Sequence, residues 1–360
     1  MIRTWLGPAR YLFIPLVVED TTGYLPPPPH FRELVQRRVF FDPDPQTNED
    51  RSLSSYISSI SYGRASIDAT VAQPVTVRKL GIKENPTLPA IYAQPDSHKF
   101  EYLAVVYPTN LRGQGGGMAQ PGRIDYDPPR SPNRTRARSR FLHDERIGTW
   151  AMEVIHNVTN IADYYNGVSH PGRFDNLAAS VATHPSAYTK LLAGWLDAGS
   201  VRLHPGHTAT YKLHAIGLPH PAPAGRVAAV KLQARDSDRY LIIEARLRSD
   251  RWERGFSGSQ GIPSEGVVVY EYAPDWPKLG PGAQPPLQLR TPTALTVGQS
   301  ITHEDRHNPH DHRTGRGRNR TITVKSAIPG GFVIEVSSDE AQPRGGGSGG
   351  DTDDPPHDQE

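Results

Sequence analysis

Between residues 147 and 161 the apolar side chains Ile147, Ala151, Val154, Ile155, Val158 and Ile161, together with Trp150, recur at three- and four-residue spacing. That period belongs to a helix with one buried stripe, because a half-buried strand would alternate every second residue. Asp144 stands where an N-cap acceptor is expected. At about 100° per residue Met152 and His156 then share the opposite side, one turn apart, with Glu153 beside them. Asp163 returns to that side if the helix continues to Tyr165.

The rest of the chain must build a fold around such a helix. Its 360 residues suffice for two domains. The 35 prolines and 33 glycines predict long irregular connections. With no cysteine there can be neither disulfides nor thiolate metal sites. A net charge of +2 points to no polyanionic partner, so a basic function would need a local patch. The apolar run 11–18 contains Pro15 and is followed by Glu19 and Asp20, which predicts a core strand rather than a signal peptide. No stretch reaches the ~20 apolar residues of a membrane span, so no membrane partner is expected. With no leader visible, a cytoplasmic location is the expectation.

Strand and helix patterns alternate in the first part. Residues 10–18 read as a strand, 31–38 and 52–61 as helices, 65–77 as an alternating half-buried strand with Ile67, Ala69 and Val71 on one face, and 102–107 as a core strand. Residues 113–140 show no apolar period and carry Arg130, Arg134, Arg136, Arg138 and Arg140. They read as a solvated loop, because interleaved aromatics and a recognisable nucleic-acid motif are missing, with nucleic-acid binding through this arginine-rich loop as a second alternative function. From residue 201 the pattern becomes strand-like, including 227–232, 239–247, 266–272, 321–325 and 332–336. The predicted class is α+β: an α/β domain over 1–200, a β-rich, sandwich-like domain over 201–338, and a Gly-rich, acidic tail over 339–360 too poor in apolar residues to fold.

Met152-Glu153-Val154-Ile155-His156 has the form of His-Glu-x-x-His with its first letter changed. Around it stand Gly148-Thr149-Trp150-Ala151, Asp163-Tyr164-Tyr165, Phe174-Asp175-Asn176-Leu177-Ala178, Ser186-Ala187-Tyr188-Thr189-Lys190-Leu191 and Gly194-Trp195-Leu196-Asp197. Together with 56–63 upstream and 240–246 and 266–270 downstream, this order of blocks resembles the immune inhibitor A family of secreted zinc metallopeptidases, over roughly residues 10–338. The resemblance implies a zinc-metallopeptidase-like α/β domain whose active-site helix carries Glu153 as general base and His156 as the second zinc ligand. Asp163 is the nearest match to the third ligand. It also implies a polypeptide substrate or partner, and secretion as the alternative location.

Three departures touch the metal. Met152 replaces the first histidine, Thr159 replaces a glycine, and Asp163 lies one residue farther from His156 than the family spacing. A thioether suits copper(I), whereas catalytic zinc takes three nitrogen, oxygen or thiolate ligands and a water. Without zinc, Glu153 has no activated water to deprotonate. The expectation is therefore a pseudoenzyme without bound cofactor, with zinc present only if the site still functions. The alternative is an active endopeptidase that recruits a ligand from His143 or from the segment 303–312.

That segment holds a literal His-Glu-x-x-His at His303-Glu304-Asp305-Arg306-His307, followed by His310, Asp311 and His312. It has no apolar face and runs into Pro309, so it reads as a polar loop between strands. Residues 113–117, Gly-Gln-Gly-Gly-Gly, lack the Lys-Ser or Lys-Thr of a phosphate loop and read as flexible connection.

Overall fold

The computed structural model describes residues 2–19, 25–78, 90–91, 93–94, 96–108, 118–125, 135–165, 170–233, 238–274, 286–304 and 319–338. Residues 113–117, Arg130 and Arg134, residues 305–312 and the tail 339–360 lie outside them.

Strand β1 (Gly7–Glu19) organises the first half. Helices α1 (Phe31–Phe40) and α2 (Leu53–Ile60) follow, the second capped by Ser52, whose side chain accepts from the Ser55 amide. The stretch expected as one strand over 65–77 is divided. Strand β2 (Ala65–Val71) pairs with the first part of β1 and β3 (Val75–Arg78) with its second part, because β1 is long enough to take both in parallel. Ile67 and Ala69 are half-buried on the face of buried Val71, as the alternation predicts.

Strand β4 (Tyr102–Tyr107) lies on the other side of β1. The sheet then continues where a loop was expected: β5 (Met118–Asp125) is an antiparallel edge and β6 (Thr135–Leu142) runs parallel to β4. The arginine-rich sequence Thr135-Arg136-Ala137-Arg138 lacks an apolar period, yet strand pairing satisfies backbone groups and needs none. The resulting six-stranded sheet has the order β2-β1-β4-β6-β5, with β3 also on β1.

Tyr11 and Phe13 of β1 face α1, α2 and α3 (Ile147–Thr159), while Leu12, Ile14 and Leu16 face a second apolar layer with Leu103 and Val105. Two short helices follow, α4 (Asn176–Ala179) and α5 (Ala187–Leu192). The chain then becomes almost wholly β.

Strands β7 (Val201–Leu203), β8 (Ala209–His214), β9 (Ala229–Gln233) and β10 (Tyr240–Arg246) precede the single turn α6 (Arg251–Arg254). The small hairpin β11 (Gly255–Phe256) and β12 (Ser259–Gln260) comes next, then β13 (Gly266–Tyr272), β14 (Leu287–Leu289), β15 (Ser300–Glu304), β16 (Asn319–Ile328) and β17 (Gly331–Ser338). They form a five-stranded sheet, β14-β13-β10-β9-β7, and a four-stranded sheet, β15-β16-β17-β8.

Period-2 alternation along β10 explains how these sheets are placed. Leu241, Ile243 and Ala245 pack with Ile322, Val324, Ile334 and Val336 of the four-stranded sheet, which makes the two sheets a sandwich. Ile242, on the other face, joins the core built by α2 and α3. Packing is thus continuous across residue 200. Among the described residues no helix is long and apolar enough to cross a membrane.

Candidate functional site

Helix α3 begins and ends differently from its sequence reading. Arg146, not Asp144, occupies the N-cap and gives no side-chain cap bond. The helix stops at Thr159, where Asn160 takes a left-handed conformation with φ 58°, rather than continuing to Tyr165. Every residue from Ile147 to Thr159 is buried, so the side opposite the apolar stripe is interior too.

Gly148 lets this helix approach the backbone of residues 180–182. A Cβ there would stand 2.4 Å from the Val181 carbonyl carbon and 2.5 Å from the Ser180 oxygen. Asn176 Nδ2 clamps the crossing by donating to the Gly148 and Val181 carbonyls. Trp150 stacks on Phe141 with ring centroids 4.3 Å apart and donates to the Leu142 carbonyl. The blocks 148–151 and 174–178 therefore meet in space.

The structure brings His156 and Asp163 together by a route other than helical spacing. After Asn160 the chain doubles back, and Asp163 Oδ1 comes to 2.7 Å from His156 Nε2. His156 Nδ1 lies 2.6 Å from the Ile161 carbonyl oxygen. Carboxylate and carbonyl oxygens only accept, so when both bonds are made the two ring nitrogens carry protons, the cationic form of the imidazole that persists below its raised pKa. Burial alone lowers the His156 pKa; the Asp163 bond and charge, the Ile161 carbonyl and the charge of Glu153 outweigh it and raise the pKa overall.

Glu153 is itself buried, at 3 % exposure. Tyr165, by contrast, is 49 % exposed, and its pKa is pushed up to about 12 by partial burial, then by the charge and hydrogen bond of Asp163 and the charge of Glu153. Met152 Sδ accepts from Ser180 Oγ at 3.2 Å. Thr159 Oγ1 bonds back to the Ile155 carbonyl at 2.6 Å and accepts from the Ile161 amide. It shapes the turn that delivers Asp163.

These donors do not fit a catalytic zinc. In its protonated form His156 has no lone pair to offer, and the thioether of Met152 is a poor zinc ligand. Among the described residues, no group of three or more His, Asp or Glu stands where it could hold a metal ion. His143 is not recruited either. It sits before the N-terminal end of α3, edge-on to Phe31 at 5.5 Å, and the helix rise from residue 147 to 156 is about 14 Å. His303 and Glu304 lie on strand β15 rather than in a loop.

A second group of polar residues has no counterpart in the sequence reading of the site. Lys190, fully buried, donates from Nζ to the Ile60 carbonyl at 2.6 Å and lies 3.1 Å from His184 Nδ1. His184 Nε2 stands 2.8 Å from Asp250 Oδ2. Arg246 bridges Glu244 Oε1 at 3.0 Å and Glu253 Oε1 at 2.7 Å, and also donates to the Phe174 and His184 carbonyls. Burial lowers the His184 pKa to about 4, assisted by the Lys190 charge, and raises that of Glu253 to about 7 despite Arg246.

With its donors engaged internally, this network joins the two halves of the chain: residues 184–190 come from one and 244–253 from the other. The detectable signal was Glu244 and Arg246 at core-facing positions of an otherwise apolar strand. Segment 180–184 lies between α3 and the turn α6, tied to the latter side by Ala182 to Ser259 and by His184 to Glu253. No family model and no curated protein matches this chain.

Proposed function

We propose that this chain is a non-hydrolytic relative of the immune inhibitor A-type metallopeptidases that binds a polypeptide instead of cleaving it. The observation that carries the reading is the engagement of His156: its two nitrogens serve Ile161 and Asp163, the residue that the resemblance implies as a fellow metal ligand. A catalytic histidine would keep one nitrogen unprotonated for zinc. The former metal position reads as an internal ion pair, with Glu153 left without a metal-bound water to activate.

The order of resembling blocks over residues 10–338 supports descent from that peptidase frame. Met152 supports loss of hydrolysis.

The test incubates the purified protein, expressed with zinc supplied, with an unfolded protein substrate. No cleavage is expected from the wild type or from Glu153→Gln. Met152→His is expected to raise zinc content by one equivalent over the wild type, because a first imidazole makes it favourable for His156 and Asp163 to exchange their mutual bond for the metal. Chelator-sensitive cleavage that disappears in Glu153→Gln would overturn the reading.

A further inference from the structure

Leu25-Pro26-Pro27-Pro28-Pro29 lies between strand β1 and helix α1 and has no part in the site on α3. A proline fixes φ at about −65° and drives the residue before it into extended backbone, so Leu25 to Pro28 follow a polyproline II path. The four prolines offer no N–H, which keeps the run out of the sheet beside β1. At its end His30 takes a left-handed conformation with φ 55° and turns the chain into α1, where Phe31 is buried. The rod is thereby anchored at one end.

Exposure along the run follows a period of three. A polyproline II helix has about three residues per turn and rises about 3.1 Å per residue, so Pro26 and Pro29 stand in line about 9 Å apart. Both are exposed, whereas Pro27 and Pro28 are half-buried. Leu25, at the head of the run, is 42 % exposed. The protein thus turns one apolar ridge, Pro26 and Pro29 headed by Leu25, toward solvent, and residues 25–29 carry no charged side chain.

We propose that residues 25–29 are a docking segment for a protein module whose groove is lined by aromatic side chains. Proline rings pack on aromatic faces without any need of charge, and grooves of this kind take polyproline II ligands. The rod makes no internal hydrogen bonds, so its carbonyls are suited to accept from the Trp N–H and Tyr O–H groups of such a groove. With φ already fixed and one end tied to α1, little conformational entropy is left to lose on binding. Docking through this ridge does not depend on the proposed function.

The experiment titrates the full-length protein into an isotope-labelled EVH1 domain, whose groove is of this aromatic-lined type. The wild type is expected to shift the groove resonances saturably, and to do so also in ~1 M NaCl, where the Debye length is about 3 Å and charge attraction is screened. Pro26→Ala combined with Pro29→Ala is expected to weaken binding at least tenfold, with circular dichroism showing that the fold is kept. Absence of shifts with the wild type, shifts that vanish in high salt, or equal affinities for wild type and variant would overturn the proposal. Should the variant fail to fold, methyl NMR of the wild type decides. The Leu25 methyl resonances move on addition of the domain if this segment docks, and leaving them unmoved overturns it.

Discussion

His156 Nε2 meets Asp163 Oδ1 at 2.7 Å across the turn that ends helix α3, so the two residues that resemble metal ligands are each other's partner. Asp163 is 34 % exposed on its side chain, which discounts the pair relative to a fully buried one. Asp163→Asn is expected to cost about 1–2 kcal/mol at pH 6. Because the folded His156 pKa is raised above its ordinary value of 6.5, the contribution is complete below that value and is lost as pH rises through the folded one. Denaturant titrations of wild type and variant should therefore differ most at pH 6 and converge at pH 9. A difference that grows with pH would contradict the assignment of a cationic His156.

Gly148→Ala is expected to be the most damaging small substitution in α3. The added methyl meets carbonyl and amide backbone of residues 180–182 at 2.4–2.7 Å, and no flexible side chain is available to yield. Overpacking of this kind costs about 1–3 kcal/mol, even though alanine is the better helix former. Gly199→Ala, with nothing within 4 Å of the new methyl, serves as the control. Thermal melts of the two variants should separate clearly, and equal melting temperatures would show that the helix can move away from residues 180–182.

Met152→Leu tests whether the methionine is retained for packing or for its sulfur. The side chain is 5 % exposed within the core, and its one polar contact is the weak acceptance from Ser180 Oγ. A swap that keeps volume should cost less than about 1.5 kcal/mol. A larger loss, measured by chemical denaturation, would mean that the thioether contributes something a hydrocarbon cannot.

Much of this fold was legible in the sequence because apolar period and burial coincide. The stripe of Ile147, Ala151, Val154 and Ile155 located α3, and the alternation through Ile67, Ala69 and Val71 located β2. What failed did so where backbone pairing or distant contacts decide. Residues 135–142 became a strand because β4 offers an unpaired edge, which local composition does not record. Asp144 lost the cap to Arg146, and Asp163 reached His156 through a left-handed Asn160 rather than through helical repetition. The Glu244–Arg246–Glu253 cluster was illegible as a unit, since its partners in 174–190 are distant in sequence.

The most discriminating test of that cluster is the direction in which stability follows pH. His184 has a folded pKa lowered to about 4 from 6.5, so the unfolded chain binds the extra proton and stability falls as pH drops from 6.5 through 4. Glu253 acts oppositely. Its folded pKa is raised from 4.5 to about 7, so the folded chain holds the extra proton between those values and stability rises as pH drops through that window. In the wild type the two trends offset one another near pH 5–6. His184→Gln removes the first and keeps an amide that can accept from Lys190 and donate to Asp250. Relative to the wild type, its unfolding free energy should gain most, or lose least, as pH is lowered from 7 to 5, by up to about 1.4 kcal/mol per pH unit. Parallel pH profiles for the two proteins would mean that His184 is not the neutral imidazole which Lys190 Nζ and Asp250 hold between them.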